Sequence, residues 1–201
     1  MRVKIYIEGG GSGAYLDERF REGWTTFFEK AGLQGRMPRP IRGGGRRQTF
    51  DLFQTAVRNR RPGELPLLLV DSEEAPAAGH STWQHLKSRA EDNWDRPEGA
   101  GDKEAFLMIC CMETWLVADR ATLKVFFGQH WRDSALPKWP ALEAVSKDQL
   151  FQALDSATAG CGPRRYAKGS LSFKLLGEII PAEAEKNCPA AKLLLDHLRA
   201  L

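Results

Sequence analysis

The 201-residue chain has little of what marks the specialised protein classes. Charge of one sign is not in excess. The formal net charge of +3 excludes binding to polyanions by bulk charge, and any nucleic-acid contact must come from local clusters of arginine. Long apolar runs are missing too. The longest, Phe106 to Met112, falls far short of the ~20 residues that a bilayer-spanning helix needs, so no membrane partner is expected. Met1-Arg2-Val3 leads straight into an alternating segment, with no apolar signal-peptide core, and a cytoplasmic location is expected. Cysteine is sparse: Cys110, Cys111, Cys161 and Cys188 lack C-x-x-C spacing, and reduced thiols without assigned chemistry are expected. There is no internal repeat and no low-complexity tract. No Walker A motif is present, so any ATP dependence belongs to another chain.

What is present is a hydrophobic content of 42% and a charged content of 27%, values of a globular domain with room for a sizeable core. The most informative stretch is Leu65-Pro66-Leu67-Leu68-Leu69-Val70, an apolar run that reads as a parallel strand buried on both faces. It stops on Asp71, Glu73 and Glu74. On an extended backbone Asp71 and Glu73, two apart, leave by the same face. The carboxyl end of such a strand is where open α/β sheets place ligands.

Two more segments repeat the pattern. Val3 to Ile7 alternates as a strand and ends on Glu8, followed by the turn Gly9-Gly10-Gly11-Ser12-Gly13 and a helix over 15–31 with Leu16, Phe20, Trp24, Phe27 and Phe28 on one stripe. Ala105 to Met112 reads as a strand ending on Glu113. A short strand over 37–41 and a helix over 49–59 lie between, with Arg46 and Arg47 in a glycine-containing loop. From 75 to 103 the chain is a long polar connection anchored by Trp83, His85 and Trp94, with one helix over 81–89. His85 matches no metal motif and reads as a packing residue. The alternation gives an α/β fold with a mainly parallel four-stranded sheet and helices on both faces. Helical periodicity dominates afterwards, with helices over 120–128, 147–157, 171–180 (Ser170 as N-cap, Pro181 as stop) and 189–198. Residues 1–119 are therefore expected to form the α/β core and 120–201 a helical extension packed on the same domain.

Four acids at three strand ends, Glu8, Asp71, Glu73 and Glu113, repel one another unless a divalent cation sits among them, and hard oxygen donors suit Mg²⁺ or Mn²⁺. With Ile5-Tyr6-Ile7-Glu8-Gly9 followed later by Leu69-Val70-Asp71-Ser72-Glu73, the chain resembles Toprim domains, the fold shared by topoisomerases, primases and overcoming-lysogenization-defect nucleases. The second acid is Glu73, where many Toprim proteins have aspartate. More narrowly, the chain is similar to a bacterial family of unknown function related to Toprim nucleases and often found beside AAA-type ATPases in phage defence. Tyr6 to Gly11, Leu69 to Glu73, Trp83-Gln84-His85-Leu86, Met112-Glu113-Thr114-Trp115 and Arg165-Tyr166-Ala167-Lys168-Gly169 carry that likeness.

The resemblance implies phosphodiester cleavage in DNA or RNA with Mg²⁺ or Mn²⁺, gated by an ATPase partner. It makes Glu8, Asp71, Glu73 and Glu113 metal ligands, with Glu8 also as acid/base. Lys168 is the candidate for neutralising charge on the phosphate, and Arg46, Arg47, Arg164 and Arg165 are the candidates for phosphate contacts. Two other readings stay open. One is a docking domain that keeps the shell without the metal. The other is an NADP-binding Rossmann domain, since Gly9 to Ala14 satisfies G-x-G-x-x-A and Arg46-Arg47 suits a 2′-phosphate. Association with further copies of the chain also stays open.

Overall fold

In the computed structural model, which describes residues 1–201, the apolar runs become a four-stranded all-parallel sheet. The strands are β1 (Arg2–Ile7), β2 (Arg39–Arg42), β3 (Glu64–Asp71) and β4 (Ala105–Met108), in the order β2-β1-β3-β4. β3 is apolar from Leu65 to Val70 because both faces are covered. Leu67 and Leu69 point to one side, Leu68 and Val70 to the other, and all four are fully buried. Pro40 sits in the edge strand β2, where a missing N–H costs no ladder bond.

One face of the sheet carries α2 (Arg46–Arg58) and α3 (Thr82–Ser88) over Tyr6, Leu68 and Val70. Trp94, from the long polar connection, stacks on Phe50 at 4.2 Å with rings nearly parallel, so that connection is pinned to the core. The other face carries α1 (Ala14–Lys30), α4 (Glu113–Ala118), α5 (Arg120–Phe127), α6 (Lys147–Thr158), α7 (Ser170–Glu178), α8 (Pro181–Asn187) and α9 (Pro189–Ala200). Here one apolar cluster runs from Ile5 and Leu69 through Trp24 and Trp115 to Leu194. Trp24 meets Trp115 edge-on at 5.9 Å. The helices after residue 120 thus share the core of the sheet.

α1 and α7 cross at glycines. A Cβ on Gly23 would lie 2.1 Å from the Phe173 carbonyl oxygen, and one on Gly177 would lie 3.4 Å from the Gly23 Cα. Only hydrogen fits at Gly23, and the close approach carries the start of α7 over the carboxyl edge of the sheet. No helix is long and apolar enough to cross a membrane.

The structure departs from the sequence reading in three places. β4 stops at Met108, not at Met112. The Cys110 N–H donates to the Ser72 hydroxyl (2.7 Å), the Thr114 hydroxyl donates to the Ile109 carbonyl (2.9 Å), and Cys110 adopts φ 60°, so the chain turns early. Glu113 is consequently the first residue of α4 and not a strand end. α2 begins at Arg46 because Gly45, in extended conformation, serves as N-cap, which puts Arg46 and Arg47 on the first helical turn. Ser170 opens α7 from within while Gly169 precedes it, and Pro181 starts α8 instead of merely ending α7.

Candidate metal centre

The sheet order places a topological switch between β1 and β3, since the chain leaves β1 for one side and returns on the other. Asp71 pairs with Met108, so β3 and β4 end level, while β1 stops two residues earlier, with Ile7 opposite Leu69. Glu8 leaves β1 at that edge, its N–H donating to the Leu69 carbonyl at 3.0 Å. Asp71 is the last residue of β3. Ser72 continues the ladder by donating to the Met108 carbonyl, and then Glu73 adopts a left-handed φ of 68°, held by its N–H to the Cys110 carbonyl at 3.1 Å. A non-glycine residue in that region carries strain that its surroundings must hold. The outcome is that Glu8, Asp71 and Glu73 each offer a carboxylate oxygen within 4.8 Å of the others.

Three cations surround these acids. Arg46 donates to Glu8 Oε2 at 3.2 Å and to the Asp71 main-chain carbonyl, and its other edge forks onto Asp92 at 2.7 and 2.6 Å. Lys147 Nζ lies 2.7 Å from Glu73 Oε2 and 3.6 Å from Asp71 Oδ2. Lys168 Nζ is 3.8 Å from the same Asp71 oxygen. The other Asp71 oxygen accepts the Met112 N–H at 3.0 Å. Burial, reinforced by the charge of Glu8, pushes the Asp71 carboxyl up to about 7 against the pull of Lys168. Burial also raises Glu8 above the usual carboxylate range, although Arg46 opposes it. Beside burial, the charge of Glu8 adds to the rise at Asp71 and that of Glu73 to the rise at Glu8, as repulsion among clustered carboxylates does.

Glu113, expected as a fourth ligand, stands outside that group of three; it opens α4 and lines the cavity beside Glu8 and Asp71. Its side chain is fully buried. Oε1 accepts the Tyr166 hydroxyl at 2.7 Å and the Ser172 hydroxyl at 3.3 Å, while Oε2 is buried with no partner. Glu8, Asp71, Glu113 and Lys168 line one cavity of about 600 Å³, together with the turn Gly9 to Gly13 and the start of α7. An orphaned buried carboxylate oxygen on a cavity wall needs a donor or a cation. The all-oxygen donor set fits Mg²⁺ or Mn²⁺.

A family model for a domain of unknown function, DUF4276, matches residues 7–199. The chain belongs to this family. No curated protein and no solved structure matches it. The family match runs from the residue before Glu8 to the last helix, so the acids and both lysines fall inside one DUF4276 domain.

Within this DUF4276 domain the four arginines separate. Arg46 faces inward: its side chain is only 15% exposed, and its donors are spent on Glu8, Asp71 and Asp92. Its guanidinium also lies 5.1 Å from the Trp94 ring. It orients Glu8 and is not free to meet a phosphate, either of a strand or of a dinucleotide. Arg47 is exposed and pairs with Asp51 one turn on. Arg165 forks onto Asp155, and Arg164 reaches the Phe126 carbonyl. None of these three lines the cavity. His85 is buried, its Nε2 2.9 Å from the Ser72 carbonyl, and does not line it either.

Lys147, Asp92, Tyr166 and Ser172 take part in the site without having been expected there. Lys147 meets Glu73 across 74 residues of sequence. The signal that could have exposed it is the capping box of Ser146 and Gln149, which fixes the first turn of α6 and hence where Lys147 emerges.

Proposed function

We propose that this DUF4276 domain hydrolyses phosphodiester bonds in nucleic acid with the help of Mg²⁺ or Mn²⁺. The observation that carries the reading is the meeting of Glu8, Asp71 and Glu73 at the switch point of a parallel sheet, beside a cavity whose lining includes Glu8, Asp71 and Glu113. The Toprim-like order of the motifs supports it further. Asp71, Glu73, Glu113 and one oxygen of Glu8 would hold the cation. Once bound, that cation acts as a Lewis acid on the phosphate oxygens and lowers the pKa of attacking water.

The chain's own groups then have separable tasks. Arg46 fixes Glu8, which accepts the proton of the attacking water. Lys168, on the cavity wall, faces the charge that develops on the phosphate. Lys147 holds Asp71 and Glu73 together until a cation replaces it. An AAA-type ATPase is proposed as the gate.

Incubating the chain, alone and with an AAA-type ATPase of the same cell, with plasmid, single-stranded DNA and tRNA under Mg²⁺ and Mn²⁺ tests this. Cleavage lost in Asp71→Ala is expected. Cleavage undiminished in that variant refutes the site. One observation favours the competing docking-domain reading: Lys147 and Arg46 already neutralise Glu73 and Glu8 from within. No Mn²⁺ uptake in calorimetry, with no cleavage of any substrate, would decide for it.

A further inference from the structure

We propose that the cavity beside Glu8 and Asp71 receives one unpaired nucleotide, so that the substrate class is single-stranded DNA or RNA and not intact duplex; this takes the phosphodiesterase reading as its starting point. The lining of the cavity is of two kinds. One is charged: Asp71, Glu8, Glu113 and Lys168. The starts of two full helices, α1 after Gly13 and α7 after Gly169, line the same space, and no side chain caps α1. Positive helix ends beside a lysine favour a phosphate. Glu8, Asp71 and Glu113 put three carboxylates in the same lining, so an anion alone does not complete the site. A phosphate arriving with a divalent cation meets both demands.

The other kind is apolar. Tyr15, on the first turn of α1, lines the cavity with Leu16 and is 60% exposed, alone among the aromatic side chains in being so open. The Arg19 guanidinium lies 5.1 Å from its ring centre, a cation–π pairing that stiffens the ring as a platform. A place for phosphate and an aromatic face within one cavity is the chemistry of a nucleotide. A volume of about 600 Å³ lies within the range of pockets that enclose a molecule of that size. A base inside a duplex stays in its stack and cannot enter such a pocket, so enzymes with one act on single strands or extrude the base.

The test is equilibrium binding by fluorescence anisotropy. The probe is a labelled 12-mer as single strand and the same sequence closed into a blunt hairpin, both as DNA and as RNA, with chelator and with Ca²⁺. The expected result is tighter binding of the single strand. A further loss of roughly tenfold is expected in Tyr15→Ala, with Tyr15→Phe close to wild type, as base stacking on an aromatic ring requires. Tyr15 is exposed, so neither variant threatens folding. Equal affinity for the hairpin, no effect of Tyr15→Ala, or no binding of any oligonucleotide overturns the inference. Mn²⁺ calorimetry on the same preparations separates it from the cleavage reading. Tyr15-dependent strand binding without Mn²⁺ uptake keeps the nucleotide site and ends the nuclease. Mn²⁺ uptake without Tyr15 dependence does the reverse.

Discussion

Replacing Asp71 by asparagine in the metal-free protein separates the cost of the acidic cluster from the rest of the fold. The Asp71 carboxyl is raised from 3.8 to about 7, with burial as the main cause and Glu8 next. The folded state therefore holds this proton more tightly than the unfolded chain does. The stabilisation is complete below about pH 4 and is lost as pH rises through about 7. Each tenfold difference in proton affinity is worth about 1.4 kcal/mol, so the shift bounds the loss at about 4 kcal/mol between pH 4 and pH 8. Asp71 is only 4% exposed, so solvent screening takes little from this figure. Asparagine keeps an oxygen for the Met112 N–H and removes the charge, while giving up the attraction of Lys147 and Lys168. Urea denaturation in chelator at pH 5, 6, 7 and 8 should show Asp71→Asn gaining on the wild type as pH rises, by no more than about 4 kcal/mol at pH 8. Added Mn²⁺ should raise the wild-type curve at pH 8 and leave the variant unmoved. Parallel pH profiles for the two proteins would refute the electrostatic account of the cluster.

Lys147→Met removes an ammonium that competes for the place of a cation. Metal-free stability should fall by about 1 kcal/mol, because the pair it breaks is partly exposed, while calorimetry should show Mn²⁺ bound several-fold more tightly. Gly23→Ala should destabilise by several kcal/mol in thermal unfolding, since its methyl group would collide with the Phe173 carbonyl. A midpoint within 2 °C of wild type would show that the α1–α7 crossing yields more easily than its geometry indicates.

The sheet was legible because two-sided burial leaves an unmistakable mark, as in Leu65 to Val70. The same mark misled at β4. Ile109 to Met112 are as apolar as the strand before them, and nothing in their hydropathy records that the Ser72 and Thr114 hydroxyls turn the backbone there. The convergence of Glu8, Asp71 and Glu73 was legible because each lies within two residues of the carboxyl end of a strand. Glu113 was found for the wrong local reason, since it opens a helix. Arg46 was misjudged because a doublet in a glycine-containing stretch looks solvated until the partners, Glu8 and Asp92, are known to converge on it. Lys147 was missed because the capping box of Ser146 and Gln149 marks only the start of α6, while the packing of that helix decides that Lys147 meets Glu73.

The division of the charges between the two ends of the chain has a consequence for its birth. Glu8, Asp71, Glu73 and Glu113 are all made before Lys147, Tyr166, Lys168 and Ser172, the groups that meet them. At roughly 5–20 residues per second, the ribosome holds the acids for several seconds before the last of those partners is even synthesised. During that interval the sheet can align its strands, but Arg46 alone of the three surrounding cations is there to offset the acids, and Trp24 and Trp115 lack the helices that bury them. The final third of the chain therefore closes the edge from outside, and a protein interrupted before it would expose both its charge and its core.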